Sequence, residues 1–108
     1  MKKGEICIVE MPNSNGHEQI GTRPAIIVAD TKTSITVVIP CTTNMLALRF
    51  PHTLFLEANA KNDLDNDSVA LILQIRAIDR YRIKKTAGVL DKTDLQKMNK
   101  MLKALLSL

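Results

Sequence analysis

Two consecutive apolar runs in the first half of the chain limit the fold more than any other feature. Ala25–Ala29 and Ser34–Ile39 are rich in isoleucine and valine, and the polar stretch Asp30–Thr33 separates them. β-Branched residues favour strands, and runs this short are typical of strands and too short for helices. The sequence therefore predicts two adjacent antiparallel strands joined by a tight turn. Their continuous apolar character predicts burial on both faces.

Further short apolar segments predict additional strands on either side of this hairpin. Ile6–Val9 precedes the hairpin, and His52–Glu57 follows a predicted loop that runs from Pro40 to Pro51. Ser68–Ile78 predicts either one long strand or a bent pair of strands, because polar side chains interrupt its apolar run. The chain therefore contains enough predicted strands for a small antiparallel sheet.

The C-terminal segment has the period of an amphipathic helix. Asp91, followed three residues later by Asp94, is typical of a helix N-terminus. Apolar side chains then recur at three- and four-residue spacing, while the lysines lie off this stripe and favour a solvated face over a nucleic-acid patch. The stripe consists of Leu95, Met98, Met101, Leu102, Leu105 and Leu106. The whole sequence predicts a mainly β fold, an SH3-like, largely antiparallel small barrel with a C-terminal α-helix.

Length and charge are those of a small globular domain. The 108 residues predict a single domain over 1–108. Fifteen basic residues against eleven acidic ones give a net charge of +4, which favours a polyanionic partner only weakly and is equally compatible with ordinary solubility.

The cysteines and the N-terminus predict a cytoplasmic protein with no membrane association. Cys7 and Cys41 lie in apolar, strand-like surroundings, so the sequence predicts two buried free thiols in a reducing compartment. Met1–Lys3 is basic, but the apolar run Ile6–Val9 after it is too short for an export signal. No stretch approaches the roughly 20 apolar residues of a membrane helix.

The sequence predicts neither a metal ion nor a cofactor. The cysteines and histidines lack the spacing of metal ligands. Asp63–Asp67 has the spacing of a calcium loop, but Ser68 stands where that loop needs glycine and Gln74 stands where it needs glutamate. Nucleophile-elbow, P-loop and Rossmann motifs are absent. With only three aromatic rings, the sequence also argues against the stacking platforms of RRM, OB-fold and cold-shock domains.

Two polar side chains stand at the outer ends of the predicted hairpin. Arg23 precedes its first strand and Thr42 follows its second, so the two could meet at one edge and hold a phosphate. The residues leave other interpretations open. Arg23 could form a structural ion pair with the acidic loop before it, and Thr42 could bond its own backbone in a turn. Gln74 and Arg76 could pair internally at an interface.

The order of several short segments resembles the MazF/PemK/Kid family of toxin endoribonucleases. They are Gly4-Glu5, Glu18–Ala25, Pro40–Thr43, Asp67–Val69 and Gln74–Asp79. The resemblance implies an SH3-like barrel that forms a homodimer and acts as the toxin of a type II toxin–antitoxin system. It also implies metal-independent, sequence-specific cleavage of single-stranded RNA to 2′,3′-cyclic phosphate and 5′-hydroxyl ends, which inhibits translation. A cognate antitoxin with a flexible acidic segment is the implied partner.

The resemblance assigns roles to individual residues of this chain. Arg23 and Thr42 match the family's catalytic arginine and threonine, and Glu18 matches the loop that closes over substrate. His17 stands where the family usually has a small serine, and it adds an acid/base group, so the general base stays open between His17 and Glu18. The residues implied to bind substrate are His17, Gln19, Thr43, Phe50 and Gln74.

Two other functions on the same fold are alternatives to the nuclease. Gyrase-poisoning toxins of this fold rely on a tryptophan close to the C-terminus, whereas this chain has no tryptophan and ends Leu105–Leu108. A non-catalytic barrel that binds RNA or a peptide is the other alternative, and the presence of both Arg23 and Thr42 argues against it. The sequence therefore favours the nuclease.

Overall fold

The computed structural model describes residues 1–11 and 21–108. This part of the chain contains seven β-strands, three short 3₁₀ helices and one α-helix. The strands are β1 (Glu5–Met11), β2 (Gly21–Asp30), β3 (Ile35–Thr42), β4 (Thr53–Leu56), β5 (Ser68–Leu71), β6 (Arg76–Asp79) and β7 (Ile83–Val89). The 3₁₀ helices are Met45–Arg49, Ile72–Gln74 and Arg80–Arg82, and helix α1 is Lys92–Leu106.

The predicted hairpin is present and forms the centre of the sheet. Strands β2 and β3 pair antiparallel, and both extend beyond the predicted apolar runs, so that Pro40 lies inside β3 opposite Ala25. Burial on both faces is confirmed. Ile26 contributes to a hydrophobic cluster shared with helix α1, whereas its neighbour Ile27 points the other way into a second cluster with Val38.

Side-chain hydrogen bonds hold the turn between β2 and β3. The backbone N–H of Lys32, a residue with a φ of 62°, donates to Asp30 Oδ1 over 3.0 Å. The N–H of Ile35 donates to Thr33 Oγ1 over 3.1 Å. Arg80, which follows the neighbouring strand β6, also holds this turn, because its guanidinium donates to the Asp30 carboxylate and its Nε donates to the Thr33 carbonyl oxygen. The turn is therefore fixed both by its own residues and from outside.

The sheet is barrel-like, with strand order β4-β5-β3-β2-β1-β7 and β6 paired to β3. The bent pair of strands predicted within Ser68–Ile78 is confirmed. Strand β5 pairs with the end of β3 at Cys41 and Thr42, while β6 pairs with its beginning, Ile35–Val38. Pairing between the described strands stops at β4 on one side and at β7 on the other, so the predicted barrel is not closed by strand pairing.

Strand β7 was not predicted from the sequence, and its outer edge is covered by the loop that follows β4. The N–H of Val89 donates to the carbonyl oxygen of Lys61 over 3.0 Å. Gly88 lies so near this loop that a Cβ atom on it would be 2.5 Å from the backbone of Asn62. A loop therefore takes the place of a pairing strand at this edge.

Helix α1 covers one face of the sheet, as its apolar stripe predicts. Asp91 caps the helix by accepting a hydrogen bond from the Asp94 N–H over 2.8 Å. Met98 and Leu102 are buried against the sheet, whereas Leu106, the last residue of the predicted stripe, is 51% exposed. Leu105 still packs against the core in the last turn, so only the prediction for Leu106 was wrong.

The buried thiols are also where the sequence predicts them. Cys7 and Cys41 are both free and fully buried, one in each hydrophobic cluster. Within residues 1–11 and 21–108, no helix combines the length and the apolar character required to cross a bilayer.

Candidate functional site

Arg23 and Thr42 lie just beyond the outer end of the paired hairpin. The last residue pair of the β2–β3 ladder is Ala25 with Pro40, and Arg23 and Thr42 each lie two residues beyond it. Side chains alternate along a strand, so both project from the face on which Ala25 and Pro40 lie. Beyond that pair the two strands have different partners, because Arg23 pairs with Val9 of β1 whereas Thr42 pairs with Val69 of β5.

Thr42 is held at the end of β3 by bonds on two sides. It pairs with Val69 of β5 through the strand ladder, and its side chain is only 8% exposed. Its Oγ1 accepts a hydrogen bond from the backbone N–H of Asn44 over 3.2 Å. The turn interpretation of Thr42 is thus confirmed, and it is compatible with a role in binding because the hydroxyl keeps its own proton as a donor.

A surface groove of about 510 Å³ opens beside Thr42. Phe50 and Gln74 line it together with Thr42, so three of the predicted site residues share one concavity. Asn44, Leu46 and Arg49 also line it and were not predicted to do so. A mainly apolar groove with a few polar groups and one guanidinium suits a ligand that combines flat rings with negative charge.

The wall of this groove is the 3₁₀ helix Met45–Arg49, in a segment predicted as plain loop. Asn44 caps it, accepting the Leu46 N–H on its Oδ1 over 3.1 Å. Phe50 follows the helix, is 59% exposed, and is fixed through its backbone, since its carbonyl oxygen accepts the Thr53 hydroxyl over 3.0 Å. Asn44 before an apolar run was a sequence signal for a helix start that could have revealed this wall.

A smaller cavity of about 270 Å³ continues the groove past Gln74 to Arg76. Arg76 lies in β6 opposite Val38 of β3 and is half-buried. Arg76 and Arg49 therefore line two adjoining cavities, which share Leu73 and Gln74. The polar interruption of the apolar run at Gln74 and Arg76 thus marks a cleft wall.

Other predicted site residues are placed differently. Thr43 is exposed and, like Arg23, is not among the residues that line the groove. His17, Glu18 and Gln19 lie outside the described residues, so their predicted roles remain predictions.

The groove offers binding and electrostatic stabilisation but no general base among its described lining residues. These carry hydroxyl, amide, guanidinium and hydrocarbon groups, and no carboxylate or imidazole is among them. In the described part of the chain, no three histidine, cysteine, aspartate or glutamate side chains are grouped so as to hold a metal ion.

Comparison with known proteins identifies the family. The profile of the PemK-like, MazF-like toxins of type II toxin–antitoxin systems matches residues 2–106. The protein named Endoribonuclease MazF from Staphylococcus saprophyticus is 30% identical over 103 residues, which cover 92% of this chain and 85% of that relative.

Solved structures show the same fold. MazF from Deinococcus radiodurans superposes with a TM-score of 0.83 at 23% identity, covering 100% of this chain and 97% of the other. A mycobacterial endoribonuclease in complex with its cognate antitoxin superposes with a TM-score of 0.73 at 17% identity, covering 98% and 94%. The profile match over nearly the whole chain and the named relative agree with this fold, and the chain belongs to the PemK-like, MazF-like toxin family of type II toxin–antitoxin systems.

Proposed function

We propose that this protein is a metal-independent endoribonuclease that cleaves single-stranded RNA at a short sequence and thereby inhibits translation. The observation that carries the proposal is that Arg23 and Thr42 each lie two residues beyond the last β2–β3 pair, and that Thr42 lines a groove together with Phe50 and Gln74. The family and the name of the staphylococcal relative support the same activity.

Arg23 is proposed to stabilise the transition state. The 2′-hydroxyl oxygen attacks the adjacent phosphorus, the bond to the 5′-oxygen breaks, and the products are a 2′,3′-cyclic phosphate and a 5′-hydroxyl. The phosphorane between them carries extra negative charge on its non-bridging oxygens. A guanidinium donates two parallel hydrogen bonds to such oxygens and strengthens its interaction as that charge grows.

Thr42 is proposed to donate a further hydrogen bond to a non-bridging oxygen. Its Oγ1 already accepts the Asn44 N–H, so its own proton is directed to another acceptor. Phe50 and Gln74 would bind the flanking bases, by stacking and by amide hydrogen bonds respectively. Thr43 is proposed to contact the substrate from outside the groove.

Two protons must move, one from the 2′-hydroxyl and one to the leaving 5′-oxygen. Arginine is a poor base because its guanidinium stays protonated. Glu18 and His17 carry groups that accept protons far more readily, and we propose that one of them is the base, with Gln19 contacting the substrate from the same loop.

The proposed partners follow from the charge of the cleft. An acidic, flexible segment of a cognate antitoxin would compete with RNA for Arg23, Arg49 and Arg76 by electrostatic complementarity. The mycobacterial relative of the same fold is known in complex with its antitoxin. We also propose that the protein is a homodimer and acts in the cytoplasm, where RNA is available.

Incubation of the purified protein with single-stranded RNA in EDTA, followed by mapping of the RNA ends, tests the function. We expect cleavage with 5′-hydroxyl ends, and Arg23→Ala should lower kcat by about 100-fold or more. Thr42→Val should also lower kcat. Lys100→Ala and Thr93→Val change exposed residues of helix α1; they are the controls and should cut like wild type.

Equal cutting by Arg23→Ala, Thr42→Val and wild type would show that the site is wrong. Inhibition of gyrase without RNA cleavage would favour the gyrase-poisoning alternative instead.

A further inference from the structure

We infer that Asn44 is a positioning residue that fixes the Thr42 hydroxyl as a hydrogen-bond donor into the groove. This inference rests on the proposed nuclease function and assigns Asn44 no contact with the reacting atoms. It arises from one continuous set of hydrogen bonds that joins Thr42, Asn44 and the 3₁₀ helix Met45–Arg49.

The first link determines which way the hydroxyl can donate. A hydroxyl has one proton and two acceptor positions, and the Asn44 N–H occupies one acceptor position of Thr42 Oγ1 over 3.2 Å. Thr42 is 8% exposed and lines the groove, so its surroundings restrict where the proton can point. A backbone donor behind the oxygen therefore favours donation from the hydroxyl towards the groove.

The second link holds that backbone donor in place. The Asn44 side chain accepts the Leu46 N–H over 3.1 Å, and the Asn44 carbonyl oxygen accepts the Ala47 N–H over 3.0 Å. These bonds secure the extended backbone of Asn44, with φ −77° and ψ 102°, against the first turn of the helix. Loss of the side-chain acceptor leaves the exposed Leu46 N–H bonded only to water and frees the residue 44 N–H to move.

The same residue also ties the hydroxyl to the groove wall. Leu46 and Ala47, the two residues whose N–H groups Asn44 accepts, line the groove next to Thr42. Movement of Asn44 would therefore displace both the N–H that donates to Thr42 and the 3₁₀ helix that forms the groove wall. This arrangement explains why an amide side chain stands directly after two threonines, a position that the family resemblance did not assign.

The test compares two replacements of Asn44 in the full chain. Asn44→Ala removes the cap, and we expect kcat for a short RNA to fall about fivefold, the factor that corresponds to loss of a typical N-cap bond. Asn44→Ser is uncharged and caps about as well as asparagine, so it should keep kcat within about twofold of wild type. Amide hydrogen exchange should be faster at residue 44 in Asn44→Ala and unchanged in Asn44→Ser.

Asp91→Ala is the structural control, because it removes the N-cap of α1. It should lower the melting temperature without lowering kcat. Equal kcat in wild type and Asn44→Ala would overturn the inference while leaving the nuclease intact. Equally slow Asn44→Ala and Asn44→Ser would also overturn it, because capping would then not be the cause. A wild-type protein that cuts no RNA would instead overturn the proposed function itself.

Discussion

Gly88 lies against the backbone of Asn62 so closely that a Cβ atom would be 2.5 Å from its carbonyl carbon and oxygen. Asn62 itself is almost fully buried and organises its loop, since its Oδ1 accepts the N–H groups of Asn59 and Leu64. The contact therefore joins β7 to a loop that is held in place by its own hydrogen bonds.

Gly88→Ala should detach this loop from β7. We expect the free energy of unfolding to fall by about 1–3 kcal/mol, as for other overpacked sites. The Val89 amide should also exchange faster with solvent, because its bond to the Lys61 carbonyl oxygen would lengthen. Gly21→Ala is the control: Gly21 has a φ of 89° and open space around it, so that variant strains the backbone without moving the Val89 amide. Unchanged protection of Val89 in Gly88→Ala would contradict the close-contact explanation.

Phe50→Ala should weaken RNA binding. Stacking on an exposed ring typically contributes about 1–3 kcal/mol per base, so we expect the Kd of a non-cleavable 2′-deoxy analogue to rise about tenfold. Phe55 is a matched control because it is 44% exposed on β4 and does not line the groove. A similar loss of affinity in both variants would show that the groove does not bind the bases.

Asp30 should contribute a pH-dependent part of the stability. Hydrogen bonds from the Arg80 guanidinium and the Lys32 N–H lower the pKa of Asp30 below its ordinary 3.8. A depressed carboxyl pKa means that the stabilisation is complete above about pH 4 and is lost as the pH falls through the folded-state pKa. Asp30→Asn should therefore lower the melting temperature at pH 7 and make a smaller difference at pH 3. An equal difference at both pH values would contradict this assignment.

Neither cysteine should react in the folded protein. Burial raises the pKa of the Cys41 thiol to about 12, and burial also raises the pKa of Cys7, partly opposed by the Thr86 hydroxyl. Thiolate is the reactive form, so iodoacetamide at pH 8 should label no thiol in the native protein and both after unfolding. Labelling of one thiol under native conditions would reveal a local opening of that hydrophobic cluster.

Substitutions at two residues of the same helical stripe should differ sharply in how much they destabilise the protein. Met98 is fully buried, so Met98→Ala should lower the free energy of unfolding by about 2–5 kcal/mol. Leu106 is 51% exposed, and Leu106→Ala should change the free energy by no more than about 0.5 kcal/mol. Chemical denaturation of both variants measures the difference. Comparable losses would show that the end of α1 packs more tightly than its exposure indicates.

Periodicity was sufficient to predict the hairpin and helix α1, because their apolar residues form unbroken patterns. It was insufficient for β7, whose Lys84, Lys85 and Thr86 are exposed and whose pairing with β1 contains register shifts. Such an edge strand forms through backbone hydrogen bonds to its neighbour, and these bonds require no pattern of apolar and polar side chains. The predicted small barrel is confirmed as a barrel-like antiparallel sheet, but strand pairing does not close it, since a loop instead of a strand covers β7.

For the candidate site, local patterns located Arg23 and Thr42, whereas the resemblance supplied Phe50 and Gln74. The groove itself depended on how the segment after Thr42 folds, and its short 3₁₀ helix lacks the length that makes a helical period recognisable. Arg49 was therefore missed. Roles for His17, Glu18 and Gln19 rest on the resemblance alone.

The turn at Asp30–Ser34 lies far from the groove, yet it affects how β2 and β3 align. In a hairpin the type and length of the turn fix the register, so this turn helps to set the alignment of β2 and β3. Arg23 lies seven residues from Asp30, about 23 Å along the strand. Inserting a single residue into that turn should shift the register by one, which would turn one strand's side chains to the opposite face and separate the guanidinium and hydroxyl that we propose act on the same phosphate.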